Sequence, residues 1–187
     1  CHSFSHLPFN DRLVDRSRAR EELTSAATVA QSKGVDLKTF VFPRNLVAHV
    51  DLLAEAGYFG YRDALVRTGG AFGRKFAALG EYNIFTRAQP HGVERAGVRV
   101  IPAGRFFNWR HGVRRAIPKA VTVRRWQHIV DDAIATGGVA HLWLHPHNII
   151  SAPDTFETLR DVLAYVAARR DRGHIVTMTQ RAYCGAN

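Results

Sequence analysis

Short β-branched and aromatic runs, alternating with amphipathic stretches of helix length, predict an α/β domain built on a parallel sheet. Two observations carry that reading. Apolar residues recur at helical spacing in the long segments that begin near Asp11, Val123 and Asp154. Between them, Lys38–Phe42, Val98–Ile101 and Val139–Leu144 are short and almost continuously apolar, as strands buried on both faces are. Pattern alone leaves open whether the sheet closes into a barrel.

In chain order, Asp11–Ser32 reads as a helix with Leu13, Val14, Leu23, Ala26, Ala27 and Ala30 on its apolar face and Gly34 as its stop. Lys38–Phe42 is a strand ended by Pro43. Asn45 is placed to cap a second helix, whose stripe is Leu46, Val50 and Leu53 and which Gly57 closes. Tyr58–Tyr61 reads as the next strand, residues 67–97 give no clear pattern, and Val98–Ile101 is a strand stopped by Pro102. Val123–Thr136 is a helix burying Trp126, Ile129, Val130, Ala133 and Ile134, broken by Gly137-Gly138. Val139–Leu144 then delivers His145-Pro146-His147-Asn148. A last helix runs from the cap Asp154 to about Arg170, burying Phe156, Leu159, Val162, Leu163 and Val166, and Ile175–Met178 is a final strand.

The composition bounds the function classes. At 187 residues, 46% hydrophobic and 22% charged, the chain is ordinary globular material and one domain is the natural count. No run approaches about 20 consecutive apolar residues, which rules out a membrane-spanning helix. Cys1 and Cys184 are too few for a disulfide framework and lack zinc-site spacing, so they leave the redox compartment undecided. The formal charge of +10 favours anionic partners in general. The first residue is Cys1, with no initiator or charged leader ahead of it, so the chain reads as a processed or truncated piece.

Two histidine groups carry the chemistry. His2 and His6 stand four apart, a spacing at which two imidazoles can meet one borderline-soft cation such as Zn²⁺, although a third ligand must come from elsewhere. His145-Pro146-His147 follows an apolar strand, and the carboxyl end of a parallel strand is where α/β folds place their sites. An imidazole there can protonate a leaving amine at neutral pH. The alternative is a loop whose histidines satisfy backbone carbonyls.

Together these segments resemble the polysaccharide deacetylase (NodB-like) family of carbohydrate esterases. Cys1-His2-Ser3-Phe4-Ser5-His6 is similar to the family's His-Ser/Thr-x-x-His metal motif. Phe42-Pro43-Arg44-Asn45, Ala54-Glu55-Ala56-Gly57-Tyr58 with Tyr61-Arg62, His141 through Asn148, and Ile175-Val176-Thr177-Met178 follow in the family's order. Only residues 67–120 match poorly. The resemblance implies a distorted (β/α) barrel of the NodB type, incomplete at its N-terminus and spanning residues 1–187 as a single domain. It implies hydrolysis of N-acetyl groups on a polysaccharide or oligosaccharide, assisted by a divalent metal: zinc, with cobalt or manganese as alternatives. His2 and His6 would be the metal ligands and His145 the general acid. Trp143 and Leu144 would wall the pocket for the acetyl methyl group, with Arg44 and His147 also contacting substrate.

Three departures qualify the match. The family's Asp-Asp strand end, which carries the base and a third metal ligand, has no counterpart here. It would lie upstream of Cys1, and residues 1–187 alone would then turn over little or no substrate. Where the family has an arginine two residues before proline the chain has Val41, with Arg44 after the proline instead. Asn108-Trp109 lacks the acid of the family's Asp-Trp motif.

Two other functions compete. Between Arg95 and Val130 there are nine Lys or Arg (Arg95, Arg99, Arg105, Arg110, Arg114, Arg115, Lys119, Arg124, Arg125) and no acid, interleaved with Phe106, Phe107, Trp109 and Trp126, a pattern that a solvated face also produces. A non-catalytic binder of anionic polymers would use that stretch, with an anionic glycan favoured over nucleic acid. The third reading is a different metal hydrolase, with His145 and His147 as ligands.

Overall fold

The structure is a computed structural model that describes residues 1–10, 12, 14–64 and 79–185. It is mixed α/β with a parallel sheet, and no barrel closes among the described residues. The chain divides into two compact units. The first holds Cys1–Leu65, His91–Ala103 and Met178–Asn187, and the second holds Val66–Pro90 and Gly104–Thr177. Asp11, Leu13 and residues 67–78, which the sequence reading assigned to a helix or to an unclear segment, lie outside the described residues.

The first unit begins with helix α1 (Arg16–Ser32), whose start is set by Asp15: its carboxylate accepts from the Arg18 N–H at 2.8 Å. Strand β1 (Thr39–Val41) follows, then helix α2 (Asp51–Glu55) and strand β2 (Gly60–Arg62). Strands β3 (Glu94–Arg95) and β4 (Val98–Ile101) form a hairpin. Its two-residue turn, Ala96-Gly97, takes φ of 50° and 77°, as a tight hairpin requires. The sheet order is β1-β2-β4-β3, parallel except for the last pair. Phe9, Leu23, Phe40, Phe42, Leu52, Leu53, Tyr61 and Val98 fill the core between α1, α2 and the sheet.

Cys1 extends this sheet by one residue. Its nitrogen donates to the Thr39 carbonyl at 2.7 Å and its carbonyl accepts from the Val41 N–H at 2.8 Å. That is the bonding of a residue opposite Phe40 in a parallel ladder. His2 therefore emerges at the carboxyl end of the sheet, level with the ends of β1 and β2.

The second unit contains strand β5 (Arg105–Phe106), helix α3 (Lys119–Thr136), strand β6 (Leu142–Trp143), and helices α4 (Pro146–Ile150) and α5 (Pro153–Asp171). β5 and β6 pair in parallel, Phe106 opposite Trp143. Phe107, Trp126, Ile129, Leu159 and Val162 form its core. Gly137 ends α3 in the left-handed conformation, φ 63°, where a side chain would be strained. Helix α6 (Gln180–Gly185) returns to the first unit and buries Cys184. No helix among the described residues is long and apolar enough to cross a membrane.

Several expected elements are absent or shifted. Asn45 caps no helix: Arg44 and Asn45 sit at φ 55° and 56°, so the chain makes a 3-10 turn over Pro43–Asn45 and α2 starts only at Asp51. Ile175–Met178 pairs with no strand among the described residues, and Val176 and Met178 are exposed. Phe156 and Leu163 of α5 are also exposed, so the buried face of that helix is narrower than its apolar content suggests.

Candidate functional site

The residues singled out in the sequence fall into two groups, one in each unit. In the first unit, the turn after Cys1 brings His2 and His6 together, with ring centroids 4.7 Å apart and planes at 72°. Two imidazoles sharing one zinc ion, at about 2.0–2.1 Å per nitrogen, put their centroids about 5 Å apart, so the spacing suits a common ion. His2 Nδ1 lies 2.6 Å from the Val41 carbonyl. A carbonyl only accepts, so Nδ1 carries the proton and Nε2 keeps its lone pair. Metal-ligating histidines are usually oriented in this way. Partial desolvation lowers His2 from the usual imidazole value, against the Val41 hydrogen bond, and the nearby Arg62 guanidinium lowers it further. The neutral, ligating form is thus the one present near pH 7.

The backbone of this turn is unusual. Ser3 and His6 both adopt positive φ, 58° and 61°, a region that costs non-glycine residues energy and recurs at functional sites. The Ser3 hydroxyl is buried and has no hydrogen-bond partner among the described residues. These features fit half of a metal centre. Among the described residues no group of three or more His, Cys, Asp or Glu is placed to hold an ion.

Glu22, which no motif in the sequence marks, supports the turn. This α1 carboxylate is 2% exposed and accepts from the Phe4 N–H (3.1 Å), the Ser5 N–H (2.8 Å) and the Ser5 hydroxyl (2.6 Å). Burial raises its pKa, but these donors and Arg18 outweigh burial and hold the carboxyl below its ordinary range. Beside the turn, Arg62 at the end of β2 donates to the Asn45 side chain at 2.7 Å, which is what Asn45 does instead of capping a helix. Arg44 is exposed on the 3-10 turn.

In the second unit, His145 precedes α4, with Pro146 at the first helical position. The buried Asn148 fixes it: the His145 N–H donates to the Asn148 side chain at 2.9 Å. The His145 and His147 rings stack, 11° from parallel and 5.3 Å between centroids. Trp143 packs against Phe106 and His145, and Leu144 against the unit's core. Trp109 meets His147 edge-on, and His111 stacks on Trp109 at 4.7 Å. The imidazoles at 145, 147 and 111 and the indoles at 143 and 109 thus form a connected aromatic array. No pattern in the sequence marks His111 as a member of it.

The cations of the basic stretch are divided between the two units. Arg95 and Arg99 belong to the first unit and the others to the second. There Arg125 is buried against Thr86, Lys119 pairs with Glu157, and Arg110 holds the Ile117 carbonyl.

No family model, no curated protein and no solved structure matches this chain.

Proposed function

We propose that the chain acts as a divalent-metal-dependent hydrolase that removes N-acetyl groups from the sugars of a polysaccharide or oligosaccharide, with a NodB-like distorted barrel as its fold. The observation that carries this reading is the His2–His6 pair at the carboxyl end of a parallel sheet, 4.7 Å between rings, with His2 tied through Nδ1 to Val41. His2 and His6 would hold the cation, zinc first and cobalt or manganese as alternatives. The family resemblance assigns the remaining carboxylate ligand and the base to an Asp pair ahead of His2 in chain order. When bound, the ion supplies Lewis-acid polarisation of the acetamido carbonyl and lowers the pKa of water.

The chain's own residues do the rest. His145 donates the proton that the departing sugar amine needs, which general acid catalysis makes worth about 10²–10⁴-fold in rate. Trp143 and Leu144 wall the acetyl methyl group, and Arg44 and His147 contact the sugar. Asn148 supports this assignment by holding His145 at the head of α4.

The test is release of acetate from N-acetylated oligosaccharides by the full-length protein, with zinc supplied after chelation. Restoration of turnover by zinc, and its loss in His2→Ala and His6→Ala, is the expected result. Turnover that persists in both variants would exclude the site.

A further inference from the structure

The turn that carries His2 and His6 has little to hold it by itself. It contains two residues in the left-handed region, Ser3 and His6, and four of its six residues are exposed. Such a conformation persists only where surrounding structure imposes it. Cys1 and His2 are anchored to β1 through Thr39 and Val41, and between the two histidines the turn is held by one buried side chain, Glu22. Glu22 sits on α1 between Ala19 and Ala26, on the helix face that packs into the core, so its carboxylate is delivered to a fixed position. One carboxylate oxygen accepts the consecutive N–H groups of Phe4 and Ser5, and the other accepts the Ser5 hydroxyl. Two successive amides aimed at one oxygen define the course of the backbone between the two histidines.

From this geometry we infer that Glu22 is a positioning residue: it fixes the turn so that His2 and His6 face a common point before any ion arrives. The inference rests on the metal-site reading above and assigns to that site a residue outside the histidine motif. Glu22 is not a ligand in this role. Both oxygens are occupied by the turn, and the Arg18 guanidinium stands 3.9 Å from one of them. Its contribution is preorganisation, since a receptor already in its binding geometry spends less of its affinity on ordering.

The experiment compares Glu22→Leu, Glu22→Gln, Ser5→Ala and Glu21→Gln in the full-length protein. Leucine keeps the bulk and helix propensity of position 22 but accepts no hydrogen bond. Ser5→Ala removes one donor and leaves the carboxylate in place, and Glu21 is the exposed neighbour. Two readouts apply: zinc affinity by calorimetry with the metal alone, and the ring ¹H–¹⁵N correlations of His2 and His6 in metal-free protein. Glu22→Leu is expected to weaken zinc binding about 10- to 100-fold, the usual effect of removing an outer partner. It is also expected to move the His2 ring signals from the Nδ1-protonated form toward a tautomer average. Ser5→Ala should show smaller shifts of the same kind, Glu22→Gln should restore part of the loss, and Glu21→Gln should change nothing.

A folded Glu22→Leu protein with wild-type ring signals overturns the inference. If that variant does not fold, unchanged ring signals in Ser5→Ala overturn it equally. The ring signals are read without metal, so an unmodified protein that binds no zinc at His2 and His6 refutes the proposed function while the Glu22 inference is still decided.

Discussion

Replacing Phe42 by alanine tests how the first unit is held together. Phe42 is 1% exposed and meets three aromatic rings edge-on: Phe40 at 4.9 Å, Tyr61 at 5.5 Å and Phe9 at 5.6 Å. Burial of a phenylalanine with a cavity left behind costs about 3–5 kcal/mol on truncation. Each edge-to-face pair adds about 0.5–1.5 kcal/mol beyond area, so three partners place this site toward the upper end. Against a total stability of about 5–15 kcal/mol, that is a large share. The matching control is Phe156→Ala, because residue 156 is 53% exposed although its position in an apolar helical pattern reads as core. That change should stay within about 0.5 kcal/mol. Urea unfolding followed by circular dichroism measures both. Equal losses at the two positions, or less than about 1.5 kcal/mol at Phe42, would refute the assignment of the core.

Two further outcomes follow from local geometry. A Cβ on Gly60 would stand 2.5 Å from the Arg99 carbonyl and 2.4 Å from Cys184 Sγ. Gly60→Ala should therefore cost about 1–3 kcal/mol or more in urea unfolding, and adding Cys184→Ala should recover little of it, because the backbone contact remains. The second outcome concerns acid. The native Glu22 carboxyl titrates below its unfolded value, so its contribution is present above the unfolded pKa and is lost as pH falls through the native one. The urea midpoint should fall as pH is lowered from neutral into the acid range, and less steeply in Glu22→Gln; equal slopes would refute the role given to its hydrogen bonds.

Much of the framework is readable where local chemistry and tertiary context agree. Val98–Ile101 is a β-branched run stopped by Pro102, and it is β4 to the residue. Gly137 ends α3 where a left-handed residue is needed, although Pro118 lets the helix start at Lys119, earlier than its apolar stripe suggests. The failures occur where distant partners decide. Asn45 has the chemistry of a cap, but it lies in the left-handed region and its side chain serves Arg62, 17 residues on. Ile175–Met178 has strand-forming residues but finds no ladder among the described residues, and β-propensity alone does not build a strand. At the site, the His2–His6 spacing is visible in the sequence, but Glu22 is not. A glutamate in a helix of alternating charge reads as solvated, and only the fold reveals that it faces inward to the turn. The stacking of His111 on Trp109 is hidden for the same reason, because no spacing rule pairs loop residues across a bend.

The measurement that bears most directly on the account is a paired determination of turnover and metal content for His145→Ala in the full-length protein. The account predicts that acetate release from an N-acetylated oligosaccharide falls about 10²–10⁴-fold in kcat while bound zinc stays at the wild-type level, as for an acid that is not a ligand. Loss of zinc from His145→Ala would contradict it and favour a centre built on His145 and His147. Undiminished kcat would remove His145 from the reaction altogether.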